Sequence, residues 1–123
     1  MLQGSEVAYA FIDGALPLLA RDGIDLDVFY VSSAELFDRM PAAEREAAFP
    51  EGRGRAAMGI TGFTLPTMYR WVTSARGRAA TLHPFMKGHY LGSGPGARVL
   101  EEAGLDGKSQ YEAIKKYISI LNS

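Results

Sequence analysis

The chain has 123 residues, 47% of them apolar and 22% charged. That balance fits one folded domain with its own core and excludes the low-hydrophobicity, high-charge pattern of disorder. Thirteen Lys and Arg stand against fourteen Asp and Glu, so no summed field draws the protein to nucleic acid or to an anionic membrane. With no cysteine, disulfides and thiolate metal sites are excluded. No apolar run approaches the roughly 20 residues that span a bilayer, and no basic and apolar leader opens the chain. A cytoplasmic protein is expected, with neither nucleic acid nor membrane as partner.

Over residues 4–22, Val7, Phe11, Leu18 and Leu19 recur close to one helical face, with Ser5 as the predicted N-cap, Glu6 in the first turn and Gly23 as the stop. Pro17 falls inside this run, and its missing N–H predicts a kink or a solvent-facing last turn. Residues 24–31 (IDLDVFYV) pass from alternation to a β-branched and aromatic run and read as a buried strand. Ser32 and Glu35 have the spacing of a capping box, which opens a helix carrying Leu36, Phe37 and Met40 inward. Pro41 starts a second short helix over 42–49, and Pro50, Gly52 and Gly54 read as a loop.

Residues 55–61 (RAAMGIT) read as a strand, and Thr64 caps a predicted helix over 65–74 with Leu65, Met68, Trp71 and Val72 inward and Gly77 closing it. Residues 78–85 (RAATLHPF) read as a third strand, interrupted at Pro84. A short helix follows over 95–103, stopped by Gly104. Ser109 and Glu112 cap the last helix, where Tyr111, Ile114, Ile118 and Leu121 share a face and Lys115 and Lys116 meet water. Alternation of this kind implies parallel strands joined by right-handed crossovers. The expected fold is α/β, a three-layer α/β/α sandwich with a mainly parallel sheet, in a single domain over 1–123. Only three residues precede the first helix, so the first strand is expected to be truncated.

The segment GHYLGSGPGARVLEEAGL, residues 88–105, places glycines and a proline ahead of a helix, and a helix start offers free N–H groups to an anion. His89, Ser93, Gly94 and Gly96 are therefore the candidate anion-binding residues. The spacing argues against a nucleotide loop, since Gly92, Gly94 and Gly96 read G-x-G-x-G and no Lys-Ser or Lys-Thr pair follows. The plainer reading is a tight turn in which Ser93 or Gly94 caps the helix and Pro95 fills its first turn. His83 and His89 have no third ligand at a recognised metal spacing. Ser93 lacks the G-x-S-x-G elbow of a hydrolase nucleophile. Glu35, Asp38, Glu44 and Glu46 are accounted for by capping and solvated helix faces, and Phe63, Tyr69 and Trp71 by a core or an interface. No catalytic residue and no metal ligand is assigned.

Taken in order, Gly4, Ser5, Glu6 and Val7, then Gly23 and Ile24, then Ser33, Glu35, Leu36, Phe37 and Asp38, form one familiar pattern. Gly62, Tyr69 to Val72, Gly92, Ser93, Pro95, Leu100 and Gly104 continue it. The whole resembles the C-terminal domain of transketolase and related thiamine-diphosphate-dependent enzymes. It covers nearly the entire chain. Departures are Ile60 and Thr61 where the family has Glu and Ala, Gln3 where Thr is usual, and HPFMKGHY as a small insertion.

The resemblance implies a supporting, dimer-buttressing domain of an enzyme that transfers two-carbon ketol units between sugars. Thiamine diphosphate and Mg²⁺ would sit on other domains of that parent, and no cofactor on this one. Its partners would be those domains and a second copy in a homo-oligomer. The resemblance also implies a longer polypeptide, whose central strand before Gly4 is represented here by residues 1–3 at most. Two other readings stay open: the matching domain of a 2-oxoacid dehydrogenase first component, and a free-standing module that binds a small anion.

Overall fold

The computed structural model describes residues 1–84, 86 and 96–123. Its sheet is small, open and all-parallel, with strand order β2-β1-β3: β1 is Leu2–Gln3, β2 Tyr30–Val31 and β3 Ile60–Thr61. Leu2 and Gln3 pair with Tyr30 and Val31 on one side and with Ile60 and Thr61 on the other. The few residues ahead of the first helix thus form the centre of the sheet. Beyond β3, a single parallel bridge joins Ile60 to Leu82.

Eight α-helical segments are seen among the described residues: α1 Ser5–Ala10, α2 Leu16–Arg21, α3 Ala34–Arg39, α4 Ala42–Ala48, α5 Glu51–Ala56, α6 Ala75–Ala80, α7 Gly96–Ala103 and α8 Gly107–Leu121. None is long and apolar enough to cross a membrane. Between α1 and α2 lies a π-turn, Phe11–Ala15, in which the Leu16 N–H bonds the Phe11 carbonyl five residues back. This wider turn directly precedes Pro17, which lies exposed at the start of α2, so the expected disturbance takes the form of a π-bulge.

Several sequence expectations are corrected. Ser5 is not a cap: the N-cap is Gly4, at φ 106, and no side chain bonds the helix start. Of residues 24–31 only Tyr30 and Val31 pair, and most of the rest is exposed. The cap of α3 is Ser33, whose Oγ accepts the Leu36 N–H at 3.1 Å, one residue past the predicted Ser32. Leu36 points outward, while Phe37 packs against Trp71.

The loop at 50–54 and the strand at 55–61 are replaced by α5 and the short β3. Glu46 accepts the Glu51 N–H at 3.2 Å, and Gly54 lies so close to the Trp71 carbonyl that a Cβ would stand 3.0 Å from it. Gly54 therefore serves close packing within a helix. The predicted helix over 65–74 is a single 3₁₀ turn, Leu65–Met68. Met68, Trp71 and Val72 are nevertheless buried as expected. Gly77 does not end a helix but lies inside α6, which Ser74 caps by accepting the Gly77 N–H at 2.9 Å. Helix α6 takes residues 78–80 of the predicted third strand, and among its other described residues only Leu82 forms a bridge. The last helix starts at Gly107, earlier than Ser109, whose hydroxyl donates instead to the Asp106 carboxylate at 2.5 Å.

Buried apolar side chains form two clusters. The larger joins Leu2, Val7, Phe11, Leu19, Ile60 and Ile114, with others. The second is Met68, Trp71 and Val72, backed by Met1, Val31, Phe37 and Phe49. Adjacent residues of a strand point to opposite faces, and Met1 and Leu2 accordingly enter different clusters. Helix α8 crosses the rod made by α1, the π-turn and α2 with backbones nearly touching at Gly14 and Gly107. Gln110, fully buried in α8, donates to the carbonyls of Val7 at 3.1 Å and Leu105 at 2.7 Å.

Candidate functional site

In an open parallel sheet, the crevice outside the carboxyl ends of two strands is a site wherever the chain leaves those strands in opposite directions. Here that place lies between β1 and β3, because the chain passes from β1 to β2 on one side and returns to β3 on the other. Gly4 follows β1 and Gly62 follows β3. The Gly62 N–H donates to the Gln3 carbonyl at 2.9 Å. A Cβ on Gly4 would stand 3.5 Å from the Gly62 nitrogen, and its φ of 106 is one that L side chains rarely adopt. Two glycines of the quoted pattern are thus brought together by close backbone approach.

Side chains fix this end of the sheet. Gln3 Oε1 accepts from the Thr61 hydroxyl at 2.6 Å and lies 2.9 Å from the Thr67 hydroxyl, which is also 2.6 Å from the Thr64 carbonyl. Thr61 Oγ1 in turn accepts the Phe63 N–H at 2.9 Å. Two of the positions that depart from the family pattern, Gln3 and Thr61, therefore bond to each other. Outside them is a crevice of about 360 Å³ bordered by Ser5, Glu6, Phe63, Pro84 and Leu105. It offers one hydroxyl, one carboxylate and an exposed ring. Those groups can hold a small polar molecule, but they supply no hydrogen-bonded nucleophile and base.

Of the candidate anion residues, His89, Ser93 and Gly94 lie outside the described residues, as do Gly92 and Pro95, while Gly96 opens α7. His83 is partly buried at the end of the Leu82 bridge; its Nδ1 has no partner among the described residues, and burial holds its pKa below the ordinary value. The aromatic trio separates. Trp71 is packed edge-on against Phe37 and Phe49, whereas Phe63 and Tyr69 are exposed, Tyr69 beneath the Arg78 guanidinium.

Several carboxylates are engaged. Asp38 is bound by Arg70 and Asp22 by Arg21, Tyr111 and Lys115; the Tyr111 hydrogen bond is the first cause holding the Asp22 carboxyl below its ordinary range. Among the described residues no group of three or more His, Asp or Glu side chains is arranged to hold a metal ion.

A second cleft, which the sequence did not point to, lies at the other end of β1. Residues 25–29 and 56–58 form its walls, with Phe11, Ile114, Ile118 and Leu121 as its floor, around about 310 Å³. An exposed ion pair between Arg53 and Asp27 ties the two walls. At its head the Met1 ammonium donates to the Met58 carbonyl at 3.1 Å, and burial lowers its pKa to about 6. Comparison with protein-family models and with curated protein sequences finds no match.

Proposed function

We propose that this chain is a supporting domain of a transketolase-like thiamine-diphosphate enzyme, noncatalytic by itself, whose parent transfers two-carbon ketol units between sugars in the cytoplasm. The observation that carries the reading is a cleft in the open sheet, where residues 25–29 and 56–58 stand apart over Phe11, Ile114, Ile118 and Leu121, a partly apolar surface suited to packing against further polypeptide. The ordered match of Gly4, Ser5, Glu6, Ser33, Glu35, Phe37 and Gly62 adds to it, since Gly4 and Gly62 meet and Ser33 and Phe37 perform a cap and a core contact.

The two apolar clusters support a three-layer sandwich for the complete fold. In this reading the cofactor supplies the carbanion chemistry and is held by other domains. The test is a calorimetric titration of thiamine diphosphate with Mg²⁺ into the purified chain, followed by a ketol-transfer assay. No binding heat and no turnover are expected. Stoichiometric micromolar binding, or turnover without another protein, overturns the proposal.

A further inference from the structure

The helical rod and the segment that leads into β2 leave an apolar groove between them. Tyr9, Ile12 and Leu16 form one bank and Val28 and Tyr30 the other, with the buried Leu2 and Phe11 at the base, around about 610 Å³; no charged side chain lines it. Its banks stand in solvent: Tyr9 is 68% exposed, Ile12 55% and Tyr30 50%. Steps of three and four residues place Tyr9, Ile12 and Leu16 along one side of the rod, over roughly 10 Å of rise. A groove of that length takes about two turns of a helix, which docks through anchors at i, i+3, i+4 and i+7.

Charge outside the groove selects the occupant. Residues 5–31, which supply both banks, carry five carboxylates, Glu6, Asp13, Asp22, Asp25 and Asp27, against one cation, Arg21. Arg21 is already engaged by Asp22 and the Tyr111 hydroxyl, and Asp27 is taken by Arg53. Glu6, Asp13 and Asp25 remain, all exposed and in no ion pair among the described residues. Asp13 is next to Ile12, and Glu6 comes three residues before Tyr9, so both border the apolar stripe on the open side of the rod. The groove is apolar within and uncompensated acid at its rim.

We propose that this groove docks a basic amphipathic helix of a partner protein, whose apolar face packs on Tyr9, Ile12 and Leu16 and whose Lys or Arg flanks pair with Glu6 and Asp13. Complementary charge at the rim steers such a helix in and fixes its register, while the apolar floor supplies the burial. The same rim disfavours the rival occupants. A second copy brings another set of unpaired carboxylates to the contact, and an anionic membrane surface meets charge of its own sign. The proposal goes beyond the thiamine-enzyme reading and does not depend on it, since it is read out without cofactor or substrate.

Fluorescence anisotropy on the full chain tests it, with a labelled helical peptide of about 14 residues that carries Leu on one face and Lys on the other. One-to-one binding is expected, weakening as salt is raised. The same peptide with Glu in place of Lys should bind roughly 100-fold more weakly. Tyr9→Ser and Asp13→Lys should each lower the affinity about tenfold with the far-ultraviolet circular dichroism unchanged. Ile120→Ser, also exposed but outside the groove, should leave it intact. Should Tyr9→Ser fail to fold, Ile12→Ser is read in its place. Equal binding of the Glu peptide, or unchanged affinity in the folded groove variants, overturns the proposal. So does a wild type that sediments as a dimer dispersed by Tyr9→Ser, which assigns the groove to a second copy. Pelleting with phosphatidylglycerol vesicles that is lost in Tyr9→Ser assigns it to a membrane and overturns the proposal equally.

Discussion

The crossing of α8 over the helical rod depends on two glycines that touch, and this contact yields a prediction whose sign is opposite to that of helix propensity. An ideal Cβ on Gly14 would stand 2.8 Å from the Gly107 Cα, and one on Gly107 would stand 2.6 Å from the Gly14 Cα and 2.9 Å from the Ala10 carbonyl oxygen. Neither glycine has positive φ, so alanine is permitted by the backbone and the contact alone decides. Carbon atoms pack at about 3.5–4.0 Å, and the obstructing atoms are backbone that no rotamer change can move. The rod and α8 must therefore part by about 1 Å.

Overpacking of this kind costs roughly 1–3 kcal/mol, against a propensity gain of at most about 1 kcal/mol for replacing a helical glycine. Gly14→Ala and Gly107→Ala should each lose about 1–2 kcal/mol, a fall in Tm of roughly 3–10 °C for a chain of this size. The double variant should lose less than the sum, because one opening accommodates both methyl groups. Gly52→Ala is the matched control: it lies in α5 with only the Arg55 guanidinium nearby, at 3.7 Å, and should raise Tm slightly. Thermal melts by circular dichroism decide the matter. A Gly14→Ala Tm at or above wild type would show that the two backbones do not meet as described.

Two other expectations concern polar groups. Gln110→Leu keeps most of the side-chain volume but takes the amide donor from the Leu105 carbonyl and leaves the Val7 carbonyl with the Phe11 N–H alone; it should cost roughly 1–3 kcal/mol in urea unfolding, and a loss under about 0.5 kcal/mol would refute the pairing. Asp38 lies below its ordinary pKa, chiefly through its hydrogen bond from Arg70. A carboxyl depressed in the folded state adds stability that is complete above its unfolded value near 3.8 and disappears as pH falls through the folded one. Wild type should therefore lose more stability than Asp38→Asn between about pH 5 and 2, and parallel acid limbs for the two proteins would contradict this.

What could be read from the sequence follows from how local each signal is. Gln110 and Tyr117, buried in α8, were not foreseen, but the helix stops at Gly23 and Gly104, both with positive φ, and the inward Ile114 depend on residues near one another in the chain, and they were legible. So was the burial of Met68, Trp71 and Val72, although the backbone carrying them is a 3₁₀ turn and not a helix. Close packing was not legible: Gly54 and Gly77 resemble loop punctuation, yet each is a place where one backbone presses on another. The meeting of Gly4 with Gly62, and the bond between Gln3 and Thr61, join residues some 58 positions apart, beyond any periodicity.

A strand is a property of a pair: of residues 24–31 only Tyr30 and Val31 lie opposite β1, and of residues 55–61 only Ile60 and Thr61, so each segment is a strand for two residues, however strongly IDLDVFYV favours a ladder. The remainder of that segment keeps its apolar side chains without the sheet that would bury them, which is why Leu26 and Val28 are exposed. An apolar strand edge left uncovered in a folded chain is a hazard unless something covers it.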